Sequence, residues 1–448
     1  MTPTLCQRPS RTAVVIVAAV LLLAAGGQQA DPRLTTFNDL KFGMFIHWGP
    51  YSLASVEASW PIMQPAPGGI TEAEYRALPQ RFNPVQFDPK AWIRLARDAG
   101  QRYIVITSKH HDGFCMFDSA YTDYKVTRTP YGKDVVAMLA DAAREAQMPL
   151  GFYYSPPDLN HPGYRDTSKP SSTNWRGEPT RPEWPLYLDY MELQVRELLT
   201  RYGDVFVLWF DGLDRQGKYD GTRFLRTIRD LQPRTLVNNR IGLTADFVTP
   251  EQRLPKGIPI RGAHVGMTSP DDAGLSMAPP RPEDFQPWET CMTITGTWAY
   301  NANDRRFKSA TDLVRTLVEV AARGGNFLLN VGPTPEGTIQ PEFEERLRAV
   351  GAWLKDNGDG IYGTTYGPLQ NLPFGRTTAR GKTLYLHVFD WPKASTLDVP
   401  GLRSKVARVT LLAGRRPVAF TQRDGTLTIQ TAAITPNPHA TVLAIELR

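Results

Sequence analysis

Polar and aromatic side chains stand directly after five successive short apolar runs in the amino-terminal half of the chain. The groups are His47-Trp48, His110-His111-Asp112, Tyr153-Tyr154, Trp209-Phe210-Asp211 and Asn238-Asn239-Arg240. A single polar residue after a strand is commonly a turn or a helix cap. Five such groups in succession indicate one site, because the parallel strands of an α/β barrel bring their carboxyl ends to the same face.

The residue types in this set limit the chemistry. No serine lies in a nucleophile elbow, and neither Cys115 nor Cys291 ends a strand, which disfavours acyl transfer. The three histidines match no common zinc spacing, so the sequence predicts neither a metal nor a cofactor. Neutral imidazoles suit hydrogen bonds to hydroxyl groups, and the Arg240 guanidinium can fork to a carboxylate or to sugar oxygens.

Aromatic and hydroxyl-binding groups around a carboxylate suggest a glycoside hydrolase, which needs two carboxyl groups. Asp211 is the first, because it follows the apolar run Val205–Phe210. Two residues are candidates for the second: Glu251 in DFVTPEQ and Glu289 in PWETC. The residues by themselves leave the choice between these two glutamates open.

The hydrophobic pattern predicts the elements that would position these groups. Seven apolar runs read as strands: Gly43–His47, Tyr103–Thr107, Leu150–Tyr154, Val205–Phe210, Leu236–Asn238, Met292–Thr295 and Phe327–Val331. Stretches with helical periodicity lie between them: Pro89–Ala99, Lys133–Gln147, Leu186–Tyr202, Tyr219–Leu231 and Ser309–Arg323. This alternation predicts an α/β fold with a (β/α)8-type barrel. A doubly wound open sheet is the alternative, but no glycine-rich phosphate loop follows the first strand.

The pattern changes after Gly363. Short alternating strands at Thr383–Phe389, Val406–Leu412, Thr426–Thr431 and Thr441–Leu447 are separated by Gly, Pro and Asp turns. This spacing predicts a small antiparallel β-sandwich. We therefore expect a catalytic domain over residues 31–362 and a sandwich domain over residues 363–448.

The first 30 residues read as a secretory signal peptide. Arg8 and Arg11 precede the apolar stretch Thr12–Ala25, and small and polar residues follow it. We expect export to the periplasm or the extracellular space, with no stable membrane insertion after cleavage. Cleavage would remove Cys6 and leave Cys115 and Cys291, which we expect to be buried thiols.

Composition excludes several classes. The chain of 448 residues is 41% hydrophobic, which is enough to bury a core and rules out disorder as the main state. The net charge is +6, from 51 Lys and Arg against 45 Asp and Glu, without a basic run. Nucleic acid is therefore not an expected partner.

Several longer runs resemble the α-L-fucosidases of glycoside hydrolase family 29. They are FGMFIHWGPYSL (Phe42–Leu53), YIVITSKHHDGFCMFDS (Tyr103–Ser119), GFYYSPPD (Gly151–Asp158), VLWFDG (Val207–Gly212), NNR (Asn238–Arg240), WETC (Trp288–Cys291) and GGNFLLNVGPTPEGTI (Gly324–Ile339). The matches run in order from about residue 37 to residue 362. The order and the motifs KHHDG, W-x-D-G and GGNxLLNVGP make the resemblance specific.

The resemblance implies a retaining exo-hydrolase that removes terminal α-linked L-fucose from oligosaccharides or glycoconjugates. Asp211 matches the family nucleophile, Glu251 in its T-x-E context matches the acid/base, and Glu289 is the runner-up. The residues that match the fucose subsite are His47, Trp60, His110, His111, Tyr153, Trp209 and Arg240. Alternatives are a glycan-binding protein on an inactive scaffold and a metal-dependent hydrolase that uses the histidines. The linkage and the oligomeric state are left open.

Overall fold

The structure is a computed structural model that describes residues 31–212, 217–370 and 372–448. The predicted signal peptide, residues 1–30, lies outside the described residues. Within the described ranges, no helix is both long and apolar enough to cross a membrane. Cys115 and Cys291 are buried free thiols, as expected.

Nine strands lie in the described amino-terminal part. Their bounds are β1 Phe42–Ile46, β2 Ile104–Lys109, β3 Leu150–Tyr154, β4 Val207–Phe210, β5 Leu236–Val237, β6 Ile258–His264, β7 Ala273–Ser276, β8 Glu289–Thr293 and β9 Asn326–Val331. All of them except β6 and β7 are wholly buried. Seven of these form one parallel sheet in the order β5-β4-β3-β2-β1-β9-β8. Such strands lack polar alternation because both of their faces are covered. The expected parallel α/β architecture is confirmed.

An irregular segment, residues 247–251, lies between the two edge strands of this sheet. Asn238, just after β5, forms a parallel bridge with Phe247, and Glu251 forms one with Cys291 of β8. The segment occupies the position that an eighth strand takes in a barrel. From the sequence, Glu251 is expected in a loop after Arg240. The carboxyl end of the segment carries Glu251.

Ten α-helices lie in the described ranges, and five of them coincide with the predicted amphipathic stretches. Their bounds are α1 Pro32–Leu40, α2 Trp60–Met63, α3 Glu72–Ala77, α4 Pro89–Asp98, α5 Val135–Glu145, α6 Ser171–Asn174, α7 Trp184–Arg201, α8 Gly221–Leu231, α9 Ala310–Ala322 and α10 Pro341–Asn357. Local sequence sets their starts. Asp88 and Asp134 accept bonds from backbone N–H groups of the first turns of α4 and α5, and Ser309 forms a capping box with Asp312 at α9.

The carboxyl-terminal part consists of antiparallel strands, as predicted. Their bounds are β10 Thr365–Tyr366, β11 Gly375–Arg380, β12 Thr383–Val388, β13 Thr396–Val399, β14 Val406–Leu411, β15 Arg416–Pro417, β16 Phe420–Arg423, β17 Thr426–Gln430 and β18 Thr441–Leu447. They form a six-stranded sheet, β10-β11-β12-β18-β14-β15, and a three-stranded sheet, β13-β17-β16. A separate cluster of Leu, Val and Ile side chains forms the core of this part.

His387 of β12 joins this part to the barrel. Its Nε2 lies 3.1 Å from the carbonyl oxygen of Gly360, just after α10. Burial lowers its pKa to about 3, whereas an unfolded histidine titrates near ~6.5. The unfolded chain therefore binds the extra proton first. The contribution of neutral His387 to stability is complete above pH ~6.5 and is lost as the pH falls towards 3.

We predict that His387→Gln removes this pH dependence. Between pH 7 and pH 5 the wild-type protein should lose about 2 kcal/mol more of its free energy of unfolding than the variant loses. Denaturant titrations at the two pH values measure the difference. Equal losses in both proteins would contradict a neutral, buried His387.

Candidate active site

One cavity of about 180 Å³ opens at the carboxyl ends of the barrel strands. It collects every predicted subsite residue together with both predicted catalytic carboxyl groups: His47, Trp60, His110, His111, Tyr153, Trp209, Asp211, Arg240 and Glu251. They come from the ends of β1 to β5, from α2 and from residues 247–251. The sequence separations are large, and the barrel geometry brings the strand ends together.

A single nitrogen of Arg240 joins the two carboxyl groups. Its Nη1 donates to Oδ1 of Asp211 at 2.9 Å and to Oε2 of Glu251 at 2.8 Å. The two oxygens are therefore less than about 6 Å apart, which agrees with the ~5–5.5 Å separation of retaining glycosidases and is below the ~6.5–9.5 Å of inverting ones. The second oxygen of Asp211, Oδ2, accepts a bond from the Tyr153 hydroxyl at 2.8 Å.

The surroundings push the pKa values of the two carboxyl groups in opposite directions. Burial opposes ionisation of Asp211, but the charge of Arg240 and the bonds from Arg240 and Tyr153 outweigh it, so the pKa of Asp211 is lowered. Burial raises the pKa of Glu251, and the neighbouring Asp211 charge adds to the rise, against the opposing charge of Arg240. One carboxyl group is thereby held ionised and the other is favoured in its protonated form.

Arg240 is itself fixed in place on three sides. Its Nε donates to the Thr249 hydroxyl at 2.9 Å, and its Nη2 donates to the Thr249 carbonyl at 3.1 Å. Its guanidinium lies 4.6 Å from the centre of the Trp209 ring. A planar cation held by a fork of donors and by ring stacking has little freedom to turn. Arg240 therefore sets the relative positions of Asp211 and Glu251.

Glu289 lies beneath the cavity rather than in its lining. Its Oε1 accepts a bond from the Trp209 indole at 3.0 Å, and its Oε2 is bonded to the Tyr103 hydroxyl. The side chain is buried, and burial raises its pKa to about 7. Both oxygens face the barrel interior, so the geometry gives Glu289 the task of holding Trp209.

The three histidines turn their Nδ1 atoms away from the cavity towards neutral oxygens. His47 contacts the amide oxygen of Asn330 at 2.7 Å. His110 contacts the hydroxyl of Ser59, and His111 contacts the hydroxyl of Ser155, each at 2.6 Å. Burial lowers the pKa of His47 and of His111 to about 4 and that of His110 further. The rings are therefore neutral and present hydrogen-bonding groups rather than charges.

Aromatic rings wall the remaining sides. The ring of Trp60 lies 6.3 Å from that of His111 and 6.1 Å from that of Trp175. Trp175 belongs to the segment 158–185, which is rich in Pro, Ser, Thr and Gly. The contact between the two indoles makes this segment a wall beside the cavity.

Five cavity-lining residues are missing from the sequence-based set: Phe45, Met267, Thr268, Cys291 and Trp298. Phe45 and Cys291 lie inside strands, where an apolar residue reads as core. The other three lie in long loops, whose path depends on distant contacts. One such contact is Glu57, which accepts the backbone N–H of Trp298 at 2.9 and 3.0 Å.

A wider groove of about 900 Å³ lies elsewhere, at the amino ends of the strands between α4 and α10. Charged residues such as Arg97, Asp98 and Arg348 line it, and Arg348 pairs with Asp98. In α/β barrels the amino-terminal face serves stability, whereas chemistry takes place at the opposite face. The smaller cavity is therefore the candidate active site.

A barrel with paired carboxyl groups at this separation, set among hydroxyl-binding and aromatic groups, defines a retaining glycoside hydrolase. The comparisons with known proteins agree. The family model described as alpha-L-fucosidase matches residues 25–359. The chain belongs to the alpha-L-fucosidase family.

The relatives extend over nearly the whole chain. The alpha-L-fucosidase of Branchiostoma floridae is 29% identical over 437 residues, which are 91% of this chain and 90% of the relative. Alpha-L-fucosidase isoenzyme 1 from Paenibacillus thiaminolyticus superposes with a TM-score of 0.82 at 37% identity, covering 93% of this chain and 99% of that one. A family 29 alpha-L-fucosidase from Bacteroides thetaiotaomicron, trapped as a covalent intermediate, gives 0.77 at 26% identity and covers 93% and 96%.

Proposed function

We propose that this chain hydrolyses terminal α-L-fucose from oligosaccharides or glycoconjugates, with Asp211 as nucleophile and Glu251 as general acid and base. The observation that carries the proposal is the pair of carboxyl groups on one nitrogen of Arg240. Their separation suits a double displacement through a covalent glycosyl-enzyme, since no room for a water molecule is needed between nucleophile and sugar.

In the first step, Asp211 attacks the anomeric carbon while Glu251 gives its proton to the departing glycosidic oxygen. The attack needs an ionised carboxylate, which Arg240 and Tyr153 favour through their bonds to its two oxygens. The proton transfer needs a protonated Glu251, which burial and the Asp211 charge favour. Each group therefore starts the reaction in the form that its role requires.

In the second step, Glu251 takes a proton from water while the water oxygen attacks the anomeric carbon. The ester bond between that carbon and Asp211 breaks, which releases fucose and restores the Asp211 carboxylate. Formation of the ester removes the negative charge of Asp211, which is one of the causes that raise the pKa of Glu251. The pKa of Glu251 then falls, and the residue changes from acid to base within one turnover.

The cavity size supports removal of one terminal sugar. At about 180 Å³ it is smaller than the ~300–1,000 Å³ of sites for drug-sized ligands. The histidines and Arg240 would bind the hydroxyl groups of that sugar, while Trp60 and Trp298 would pack against its apolar faces. The rest of the glycan would lie outside, beyond Met267 and Thr268.

Hydrolysis of 4-nitrophenyl α-L-fucoside tests this proposal, with the β-D-galactoside and the α-L-rhamnoside as comparisons and each assay repeated in EDTA. We expect release from the fucoside alone, unchanged by EDTA. If neither this substrate nor fucosylated oligosaccharides are cleaved while fucose still binds, the chain is a binding protein on an enzyme scaffold. Loss of activity in EDTA would instead favour a metal-dependent hydrolase.

We also propose that the chain is exported, that residues 1–30 are removed and that no nucleic acid or membrane is a stable partner. The charged and apolar pattern of residues 8–30 supports this. Amino-terminal sequencing of protein from fractionated cells tests it. Retention of the apolar stretch in a membrane fraction would contradict it.

A further inference from the structure

The proton positions on the three cavity histidines follow from the hydrogen bonds behind them. A neutral imidazole carries one N–H and one bare nitrogen, so the state of Nδ1 determines the state of Nε2. All three rings are buried, and each places Nδ1 on a neutral oxygen. Nε2 is then the nitrogen left for the cavity.

Asn330 decides the proton of His47. Its amide nitrogen donates to the carbonyl oxygen of Trp298 at 2.7 Å, which fixes the orientation of the amide. The amide oxygen, an acceptor only, therefore faces His47 at 2.7 Å. Nδ1 of His47 must be the donor, and Nε2 is bare.

Ser155 decides the proton of His111. Its hydroxyl donates its one proton to the carbonyl oxygen of Pro157 at 2.6 Å. Towards Nδ1 of His111, also at 2.6 Å, the same oxygen can only accept. Nδ1 of His111 is therefore the N–H, and Nε2 is bare. This bare nitrogen lies 3.5 Å from Oδ2 of Asp211, so His111 does not draw charge from the nucleophile through a hydrogen bond.

Ser59 has the opposite role at His110. Its oxygen already accepts the backbone N–H of Asp112 at 2.9 Å. Ser59 is fully buried. Among the described residues, the atom that can accept the hydroxyl proton of Ser59 is Nδ1 of His110, which lies 2.6 Å away. A buried hydroxyl proton without an acceptor is unfavourable. Ser59 therefore donates, and the ring proton of His110 lies on Nε2.

We propose that Asn330, Ser155 and Ser59 are positioning residues that fix the tautomers of the three histidines. His47 and His111 then present a bare Nε2 to the cavity, and His110 presents an Nε2–H. The cavity then recognises two substrate groups as hydrogen-bond donors and one as an acceptor. The sugar-recognition part of this inference rests on the proposed function, whereas the tautomers themselves do not.

The wild-type protein provides the direct test. In protein labelled with ¹⁵N-histidine, a protonated ring nitrogen and a bare one resonate far apart, and single His→Gln variants assign the signals. At pH 7 we expect the proton on Nδ1 for His47 and His111 and on Nε2 for His110. A bare Nε2 at His110, or an Nε2–H at His111, would overturn the proposal whatever the activity of the protein.

Two matched variants each remove a serine hydroxyl, one from behind His111 and the other from behind His110. Ser155→Ala removes an acceptor, so the proton of His111 should move to Nε2 and donate to Asp211. Ser59→Ala removes a donor, so His110 should keep its proton on Nε2. Ser155→Thr, which retains a hydroxyl, should keep the wild-type tautomer of His111. The same response of both rings to the two alanine variants would contradict opposite roles for the serines.

A functional readout follows from the direction of the bonds. A fluorine in place of a hydroxyl cannot donate and accepts only weakly, whereas hydrogen does neither. At each sugar position, the analogue that carries fluorine is compared with the analogue that carries hydrogen. We expect the fluorinated compound to inhibit more strongly only at the position that faces His110, because there the ring N–H can donate to fluorine. In Ser155→Ala, where Nε2–H of His111 donates to Asp211, the sugar hydroxyl that faces His111 should lose its acceptor. The advantage of that hydroxyl over hydrogen in the corresponding deoxy analogue should then fall by about fivefold to tenfold in Ki. If fucose and its analogues do not bind, the proposed function fails, and the NMR result still decides the tautomers.

Discussion

Replacing Asp211 by alanine should lower turnover of an aryl α-L-fucoside by about 10⁴–10⁶-fold, roughly the loss that follows removal of one member of a catalytic group that acts as a unit. The variant should stay folded, because the loss also frees Arg240 to pair fully with Glu251, to which Nη1 already donates at 2.8 Å. Steady-state kinetics and thermal unfolding of the purified variant measure the two effects.

Azide should partly restore this activity. Without the Asp211 side chain a small anion can attack the anomeric carbon from the face that the carboxylate occupied, while the aryl oxygen leaves. The product should be the β-L-fucosyl azide, with inverted configuration, which NMR of the product identifies. No rescue in a folded variant, or an azide product of retained configuration, would remove Asp211 from the role of nucleophile.

Asp134→Ala is the matched control. This carboxylate caps α5 and accepts the Tyr202 hydroxyl at 2.8 Å, and it is absent from the cavity lining. Its loss should cost about 1 kcal/mol of stability, as for a helix cap, and should leave turnover and azide sensitivity unchanged.

Replacing Glu251 by glutamine should separate substrates by their leaving groups. General acid catalysis contributes about 10²–10⁴-fold, and a poor leaving group depends on it most. We expect a loss in this range for a fucosylated disaccharide and a much smaller loss in the first step for an activated aryl fucoside. Initial rates measure the loss for each of the two substrates. For the aryl fucoside, the burst of aryl alcohol measures the rate of the first step.

The pH profile of the same variant tests the assignment independently. In the wild-type protein, kcat/KM should rise as Asp211 loses its proton and fall as Glu251 loses its proton. The pKa of the first group is lowered and that of the second is raised, so the active window lies between them. In Glu251→Gln the alkaline limb should disappear, because the amide does not titrate.

Glu289→Gln is the comparison that decides between the two glutamates. Glu289 bonds to Trp209 and Tyr103 beneath the cavity. The glutamine of the variant should hold Trp209 less well, and we expect a moderate loss of activity because Trp209 lines the cavity. Because Glu251 is still present, the alkaline limb should remain. An alkaline limb that vanishes in Glu289→Gln and persists in Glu251→Gln would reverse the assignment.

Much of the fold was predictable because it depends on local pattern. Continuous apolar runs mark strands covered on both faces, and caps such as Asp88 and Asp134 mark where helices begin. The segment that carries Glu251 was not predictable as a barrel element. Its bridges to Asn238 and Cys291 join segments that are separated along the chain, and the local hydrophobic pattern of the sequence carries no information on such pairing.

The amino-acid sequence by itself determined the barrel, the carboxyl-terminal antiparallel sheets and the residues that gather at the strand ends, since strand order and strand ends follow from pattern and chain connectivity. The residues by themselves left Glu251 and Glu289 as alternatives, and the tertiary structure shows how their surroundings differ. Both lie near strand ends, but the half-buried Glu251 shares an Arg240 nitrogen with Asp211, whereas the buried Glu289 faces the barrel interior. Side-chain direction depends on register and on neighbours from distant segments, and that physical information exists only once the chain has folded.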